Sequence, residues 1–172
     1  MKNFFATVEL IYAVAYIHRD KIFFLVVVAV DQLTKAAVMR SLVPGQSIPI
    51  AQNIFHLTYV LNPGAAFGIL SNQRMFLLIT GAALILATAY FYPLLKKSDA
   101  WLRLGATAIL SGAVANLIDR VQTGFVVDFF DFRIWPVFNV ADIAIVTGMG
   151  LMIYAIIFRL DSSSSKVEEA RR

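Results

Sequence analysis

Hydrophobic positions gather into four long runs along this chain, at about residues 22–42, 75–95, 102–118 and 138–160. A helix needs about 20 apolar residues to cross a hydrocarbon core, so the runs predict four membrane-spanning helices. The second run closes at Pro93 and Lys96–Lys97; the third is the shortest and carries Asn116. Ahead of the first run, residues 4–17 are apolar apart from Thr7 and Glu9, and His18-Arg19-Asp20-Lys21 follows. That stretch is too short to span and has no convincing cleavage site. It reads as an interfacial helix over residues 1–21, the alternative being a longer first helix. After the fourth run, Asp161, a serine run and a charged tail predict disorder over 161–172.

Between the runs the pattern changes. Ile54-Phe-His-Leu-Thr-Tyr-Val-Leu61 alternates in part and is rich in aromatic and β-branched residues, which predicts one or two strands. Asn62-Pro-Gly64 predicts a turn, and Phe125-Val-Val127 another short strand. The fold class is therefore an all-α membrane protein: four transmembrane helices with a small extracytoplasmic β-sheet over their outer ends, in a single domain.

Charge placement orients the bundle. Lys2, Arg19 and Lys21 precede the first run; Lys96, Lys97 and Arg103 lie between the second and third; Arg159, Lys166, Arg171 and Arg172 follow the fourth. The positive-inside rule puts both termini in the cytoplasm and turns the loops 43–74 and 119–137 outward. The net charge of +4 is thus spread over helix ends rather than gathered in a patch for nucleic acid.

Composition agrees. Hydrophobic residues make up 59% of the chain and charged ones 15%, against about 25% charged in soluble domains, and mean hydropathy is +0.74. In 172 residues there is no room for a soluble catalytic domain beside the membrane part. Cysteine is absent, which excludes disulfides, a thiol nucleophile and thiolate metal ligation.

Polar groups at membrane depth need a reason to be there. Asp31 and Lys35 share a helix face at i,i+4 spacing and can pair, either as a structural ion pair or as support for a neighbouring site. Gly112, Asn116 and Asp119 share a face of the third run, with Arg120 next to them; helix packing and an ion pair account for this face as well as a catalytic site does. Asp128 lies between Val126-Val127 and Phe129-Phe130, and Asp142 sits in the first turn of the fourth run. Apolar surroundings raise a carboxyl pKa, and two carboxylates brought together share a proton. That is what an aspartyl protease needs, one acid to take a proton from water and the other to polarise the scissile carbonyl. Asp142 also suits a plain helix-capping role, and Asp131 competes with Asp128 as the partner. There is no P-loop, GxSxG, HExxH or dinucleotide fingerprint. His18 and His56 lie too far apart, on opposite sides, for a His-based metal site or triad.

Five motifs then stand in order: Asp31-Gln-Leu-Thr-Lys35, Asn62-Pro-Gly-Ala-Ala-Phe-Gly68, Gly112-Ala-Val-Ala-Asn116-Leu-Ile-Asp119-Arg120, Val126-Val-Asp128-Phe and Phe138-Asn-Val-Ala-Asp142. Over residues 22–160 the chain resembles the bacterial lipoprotein signal peptidase (signal peptidase II) family. The resemblance implies four spans, an extracytoplasmic β-cradle and helix, and an aspartyl endopeptidase of the inner membrane that needs no metal or cofactor. The implied partners are membrane lipid and a diacylglyceryl-modified prolipoprotein, cut just before the lipidated lipobox cysteine. Globomycin-type inhibitors are implied too, and a monomer is enough. Motif by motif, Asp128 and Asp142 match the catalytic pair. Asp31, Lys35, Asn62, Gly64, Ala66, Phe67, Gly112, Asn116, Asp119, Arg120, Asn139 and Ala141 match supporting positions. Asn62 and Arg120 are implied to hold substrate backbone or inhibitor, and Asn116 and Asn139 to brace the acids. The chain departs from the family's pattern at Ser111 and Ala115, where glycines are common, in a shorter stretch between Asp128 and Asn139, and in a longer N-terminus.

Two other classes compete with the peptidase. A small proton or cation transporter would line a path with Asp31, Asp119 and Asp142, but the acids gather at the outer end of the bundle and leave no chain of polar groups to the inner face. A non-catalytic scaffold has no need for two acids with apolar flanks.

Overall fold

The computed structural model describes residues 2–64, 73–95 and 99–160, with side chains in the first helix from Arg19 onward. Among these residues lie four helices, α1 (Lys2–Ser41), α2 (Arg74–Leu95), α3 (Ala100–Gln122) and α4 (Val140–Ala155). Three strands accompany them, β1 (Ser47–Ala51), β2 (Phe55–Asn62) and β3 (Val126–Asp131), and α4 runs on into a π-helical turn, Ile156–Leu160. The segments Arg19–Ser41, Met75–Tyr92, Ala100–Gln122 and Val140–Phe158 are each long and apolar enough to cross a membrane.

Helix ends follow local chemistry. α3 is longer at both ends than its apolar run. Asp99 caps it by accepting the Trp101 N–H at 2.8 Å, and Asp119 and Arg120 find tertiary partners that let the helix carry charge to its last turn. α4 begins two residues later than its run, because Asn139 and Asp142 form a capping box, each side chain accepting the other's backbone N–H. At the N-terminus, the stretch read as a separate interfacial helix is continuous with the first span in one helix, the longer-helix alternative. Its charged joint is satisfied inside the bundle: Asp20 pairs with Arg103 of α3 at 2.8 Å and accepts the Tyr92 hydroxyl of α2 at 2.9 Å. The charged tail 161–172 lies outside the described residues.

Side-chain pairings give the helix directions. Asp20 meets Arg103 and Lys35 meets Asn116, so α1 and α3 run parallel. Gly105 faces Gly148 and Gly112 faces Ala141, so α4 runs antiparallel to α3. A Cβ on Gly112 would overlap the Ala141 carbonyl oxygen, so glycine here lets α4 start directly against α3.

The strands form one antiparallel sheet in the order β1-β2-β3, at the end where α1 and α3 finish and α4 begins. β1 was not foreseen from the sequence; it carries Pro49 and lies at the sheet edge, where a missing N–H is tolerated. One face of the sheet closes the bundle through Val38, Leu42, Tyr59, Val127 and Phe129. The β2–β3 ladder is interrupted by a bulge. Between the pairs Leu57↔Phe130 and Val60↔Asp128, β2 has one residue more than β3. Asp128 lies beside Val60 and Asp131 beside His56, on either side of the bulge. The extracytoplasmic helix that the resemblance implied is not among the described residues; 132–137 form a loop of bends, and 65–72 lie outside them.

Candidate active site

The site rests on a buried cation. Lys35 is 1% exposed, and its ammonium has three protons to place in an apolar interior. It meets Asp31 at 2.8 Å, Asp119 at 2.8 Å and the Asn116 side-chain oxygen at 2.9 Å. The two carboxylates use their remaining capacity on backbone and amide donors. Asp31 accepts the Ala141 N–H at 2.8 Å, and Asp119 accepts the Val127 N–H at 3.2 Å and the Gln32 amide at 2.8 Å. Ala141 precedes Asp142 and Val127 precedes Asp128. One ion cluster on α1 and α3 therefore fixes the backbone next to both acids.

The acids stand above it. Asn116 has its oxygen committed to Lys35 and to Asn139 at 3.1 Å, so its amide N–H must face Asp142, which it reaches at 2.9 Å. The other Asp142 oxygen accepts the Asn139 backbone N–H at 3.2 Å. Asp128 accepts from the Asn139 amide at 2.7 Å and from the Asn62 amide at 2.9 Å. Asn139 and Asn62 are oriented in their turn, because each side-chain oxygen accepts a backbone N–H, from Asp142 and Gly64 respectively, at 2.9 Å. Burial first, and then the Asp142 charge, push the Asp128 carboxyl up to about 7, against the pull of the Asn62 and Asn139 amides. One bridge, Asn139, thus touches both acids.

Asp128 and Asp142 line a cleft of about 490 Å³. Asn62, Gly64, Asn116 and Arg120 supply its polar wall, and Trp135, Val137, Ile145 and Val146 its apolar one. Arg120 donates to the Gly64 carbonyl at 3.0 Å and so ties the turn after β2 to α3. Among the described residues no group of three or more His, Cys, Asp or Glu side chains is placed to hold a metal ion.

Most residues singled out from the sequence meet here: Asp31, Lys35, Asn62, Gly64, Asn116, Asp119, Arg120, Asp128, Asn139, Ala141 and Asp142, with Gly112 at the α3–α4 contact below. Ala66 and Phe67 lie outside the described residues. Asp131, the competing partner, does not face the cleft. It accepts the Thr58 hydroxyl at 2.7 Å and the Arg133 guanidinium at 2.7 Å. Gln32 was missed, although a polar side chain beside Asp31 in an apolar run carries the signal used for Asp31 itself. Trp135 was missed too, because nothing in a loop sequence says which way its tip folds.

Comparison with known proteins bears on the same residues. The family model described as "Signal peptidase (SPase) II" matches residues 23–158. The chain belongs to the signal peptidase II family. A protein of Pelotomaculum thermopropionicum named "Lipoprotein signal peptidase" is 45% identical over 141 residues, 82% of this chain and 93% of that protein. One of Clostridioides difficile with the same name is 47% identical over 143 residues, 80% and 95% of the two chains. A solved structure described as "Bacterial membrane enzyme structure by the in meso method at 2.3 A resolution" superposes with a TM-score of 0.77 at 32% identity, covering 88% of this chain and 93% of that one. As a signal peptidase II the chain is a multi-pass bacterial membrane protein and an aspartic-type peptidase, which sets aside the transporter and scaffold readings.

Proposed function

We propose that this signal peptidase II removes the signal peptide from diacylglyceryl-modified prolipoproteins, cutting just before the lipidated cysteine, with Asp128 and Asp142 as the catalytic pair. The supporting observation is that two carboxylates share one cleft, each bonded by oriented amide donors and linked through Asn139.

The roles follow from surroundings. Asp142 sits in the first turn of α4, where the helix dipole favours its anion, so it is the base. Asp128 holds its proton to about pH 7 and is the acid. Asp142 takes a proton from water, and the water oxygen bonds to the scissile carbonyl carbon. Asp128 gives its proton to the carbonyl oxygen, forming a neutral gem-diol. Asp142 then protonates the leaving amine as the C–N bond breaks, and Asp128 recovers a proton from the diol as the carbonyl re-forms. Asn62 and Arg120, on the polar wall, hold the substrate backbone, and globomycin-type inhibitors compete for the same wall.

The sheet and cleft face outward and both termini face the cytoplasm, a topology that the positive-inside distribution of Lys and Arg supports. One chain carries both acids and the amide donors that hold them, so a monomer suffices. The test is cleavage of a diacylglyceryl prolipoprotein in detergent by wild type, Asp128→Asn and Asp142→Asn. Each variant is expected to insert and purify yet lose roughly 10²–10⁴-fold or more in rate. Full activity in either variant removes that residue from the pair.

A further inference from the structure

The loop 132–137 between β3 and α4 is built as a rigid projection. Its neck is closed by backbone bonds: the Phe138 carbonyl accepts N–H groups from Phe129 and Phe130 at 3.0 and 2.8 Å, and the Phe138 N–H donates to Phe130 at 3.1 Å. The Phe132 ring stacks parallel to Phe138 with centroids 5.9 Å apart and lies 4.9 Å from Phe55. Asp131, 4% exposed, pins the first bend by accepting both the Arg133 backbone N–H at 2.9 Å and its guanidinium at 2.7 Å. Arg133 is held at φ 65°, a conformation a non-glycine residue adopts only when its surroundings enforce it.

This fixed neck holds out an apolar tip. Ile134 is 92% and Trp135 60% exposed, and Trp135, Pro136 and Val137 line the cleft. Ile145 and Val146 line it too, about one turn below Asp142 on the spanning helix α4, and Val146 is 64% exposed. The apolar flank therefore runs without interruption from the loop tip past Asp142 to the surface of a membrane helix. The opposite flank carries the hydrogen-bonding groups Asn62, Gly64 and Arg120, and its apolar lining, Val60, Leu61, Pro63 and Val126, belongs to the sheet and its turn rather than to a membrane helix.

We propose that this flank is the path of the substrate's diacylglyceryl group, with loop 132–137 as its outer wall and Trp135 as the residue that grips the lipid. The inference rests on the peptidase reading above. In that reading the lipidated cysteine directly follows the scissile bond, so its thioether lies beside the carboxylates. Its two acyl chains must leave the cleft along apolar surface that opens into the bilayer, and the flank through Ile145 and Val146 is continuous with a membrane-spanning helix. An indole is well suited to the place, because Trp favours the boundary between hydrocarbon and water.

Two measurements test it. The first compares one prolipoprotein peptide carrying dipalmitoylglyceryl or dioctanoylglyceryl, cleaved in the same mixed micelles by wild type, Trp135→Ala and Ile134→Ser. Wild type is expected to prefer the longer chains. Trp135→Ala should shrink that preference roughly tenfold through KM, as loss of one buried aromatic contact implies; Ile134→Ser should shrink it less. An equal loss on both substrates, or none on either, overturns the proposal. The second measurement does not depend on turnover. In an Asp128→Asn, Trp101→Phe protein, Trp135 is the one remaining tryptophan. Its emission should shift to the blue with the dipalmitoylglyceryl peptide and stay put with the unlipidated peptide. No shift, or the same shift with both, overturns the lipid path. Failure of wild type to cut either substrate would count against the peptidase reading alone, because the emission result still decides the lipid path.

Discussion

Two clusters of acid and base lie close together in this protein and are held by opposite means. Beneath the cleft, Asp31, Lys35 and Asp119 are buried, and every ammonium proton and carboxylate oxygen has a partner. Beside the cleft, Asp131, Arg133, Thr58, Ser47 and His56 form a chain of contacts on the sheet, with the Arg133 side chain 48% exposed. There the buried His56 Nε2 has no hydrogen-bond partner among the described residues. The chemistry is similar, but the consequence of breaking it is not. Removing one partner from a buried pair leaves an uncompensated charge in an apolar interior and costs roughly 3–5 kcal/mol. A solvent-exposed pair contributes about 0–1 kcal/mol. The inner cluster therefore decides whether the acids are in place at all, and the outer one adjusts a wall.

The sharpest way to break the comparison is Lys35→Met. It strands Asp31 and Asp119, frees Asn116 to turn its oxygen toward Asp142, and loosens the backbone at Ala141 and Val127. We expect a loss of roughly 3–5 kcal/mol of stability, read from thermal unfolding in detergent, and no measurable cleavage. Lys35→Arg should recover part of the stability and little of the activity, because a planar fork cannot point three donors at three separate acceptors. Wild-type activity in Lys35→Met would reduce the cluster to simple packing.

Gly112→Val comes next. Its side chain would collide with the Ala141 carbonyl and with Ile145, pushing α4 away from α3 just below Asp142. Overpacking of this kind costs roughly 1–3 kcal/mol. Activity should fall further than stability, since the displaced backbone carries a catalytic acid. Equal, modest losses in both would mean that α4 tolerates the shift.

The contrast between the clusters also explains what could be read from the sequence. Lys35, Asn116 and Asp142 were legible because a polar group inside an apolar run is costly and must have a partner. Helix existence was legible for the same reason, in reverse, from the apolar runs. The outer region was not. β1 carries a proline and all its residues are exposed, so it shows no burial pattern. The choice between Asp128 and Asp131 depends on partners elsewhere in the chain, Asn62 and Asn139 for the first and Thr58 for the second, which no local motif announces. The continuity of α1 through His18–Lys21 depends on Arg103 and Tyr92, both far away in the chain.

Different partners put two aspartates of one strand under opposite pH linkage. Asp128 binds its proton more tightly when folded, so its contribution is full below the ordinary value of 3.8 and is lost as pH rises to about 7. Asp131 is pulled below 3.8: burial opposes this, but the Thr58 and Arg133 bonds outweigh it. Its contribution is present above 3.8 and is lost as pH falls through the lowered value. Asp128→Asn should therefore flatten the fall in stability between about pH 4 and 7, while Asp131→Asn should change only the acid side, as melting temperature against pH will show. Wild-type cleavage should decline above about pH 7, as Asp128 loses the proton it donates. An unchanged slope in Asp128→Asn would mean that another group carries it.

The smallest effect is the most specific test of the outer cluster. Arg133 has a positive φ, which costs a non-glycine residue about 1–2 kcal/mol, and its guanidinium returns about 0–1 kcal/mol through a half-exposed pair with Asp131. Arg133→Ala keeps the strain and loses the pair, whereas Arg133→Gly loses both. The glycine variant should therefore be the more stable of the two by about 1 kcal/mol and should lie close to wild type. Its loop, no longer pinned through the side chain, should nevertheless discriminate less well between long and short acyl chains. If alanine proved the more stable variant, the bend at Arg133 would not be held under strain.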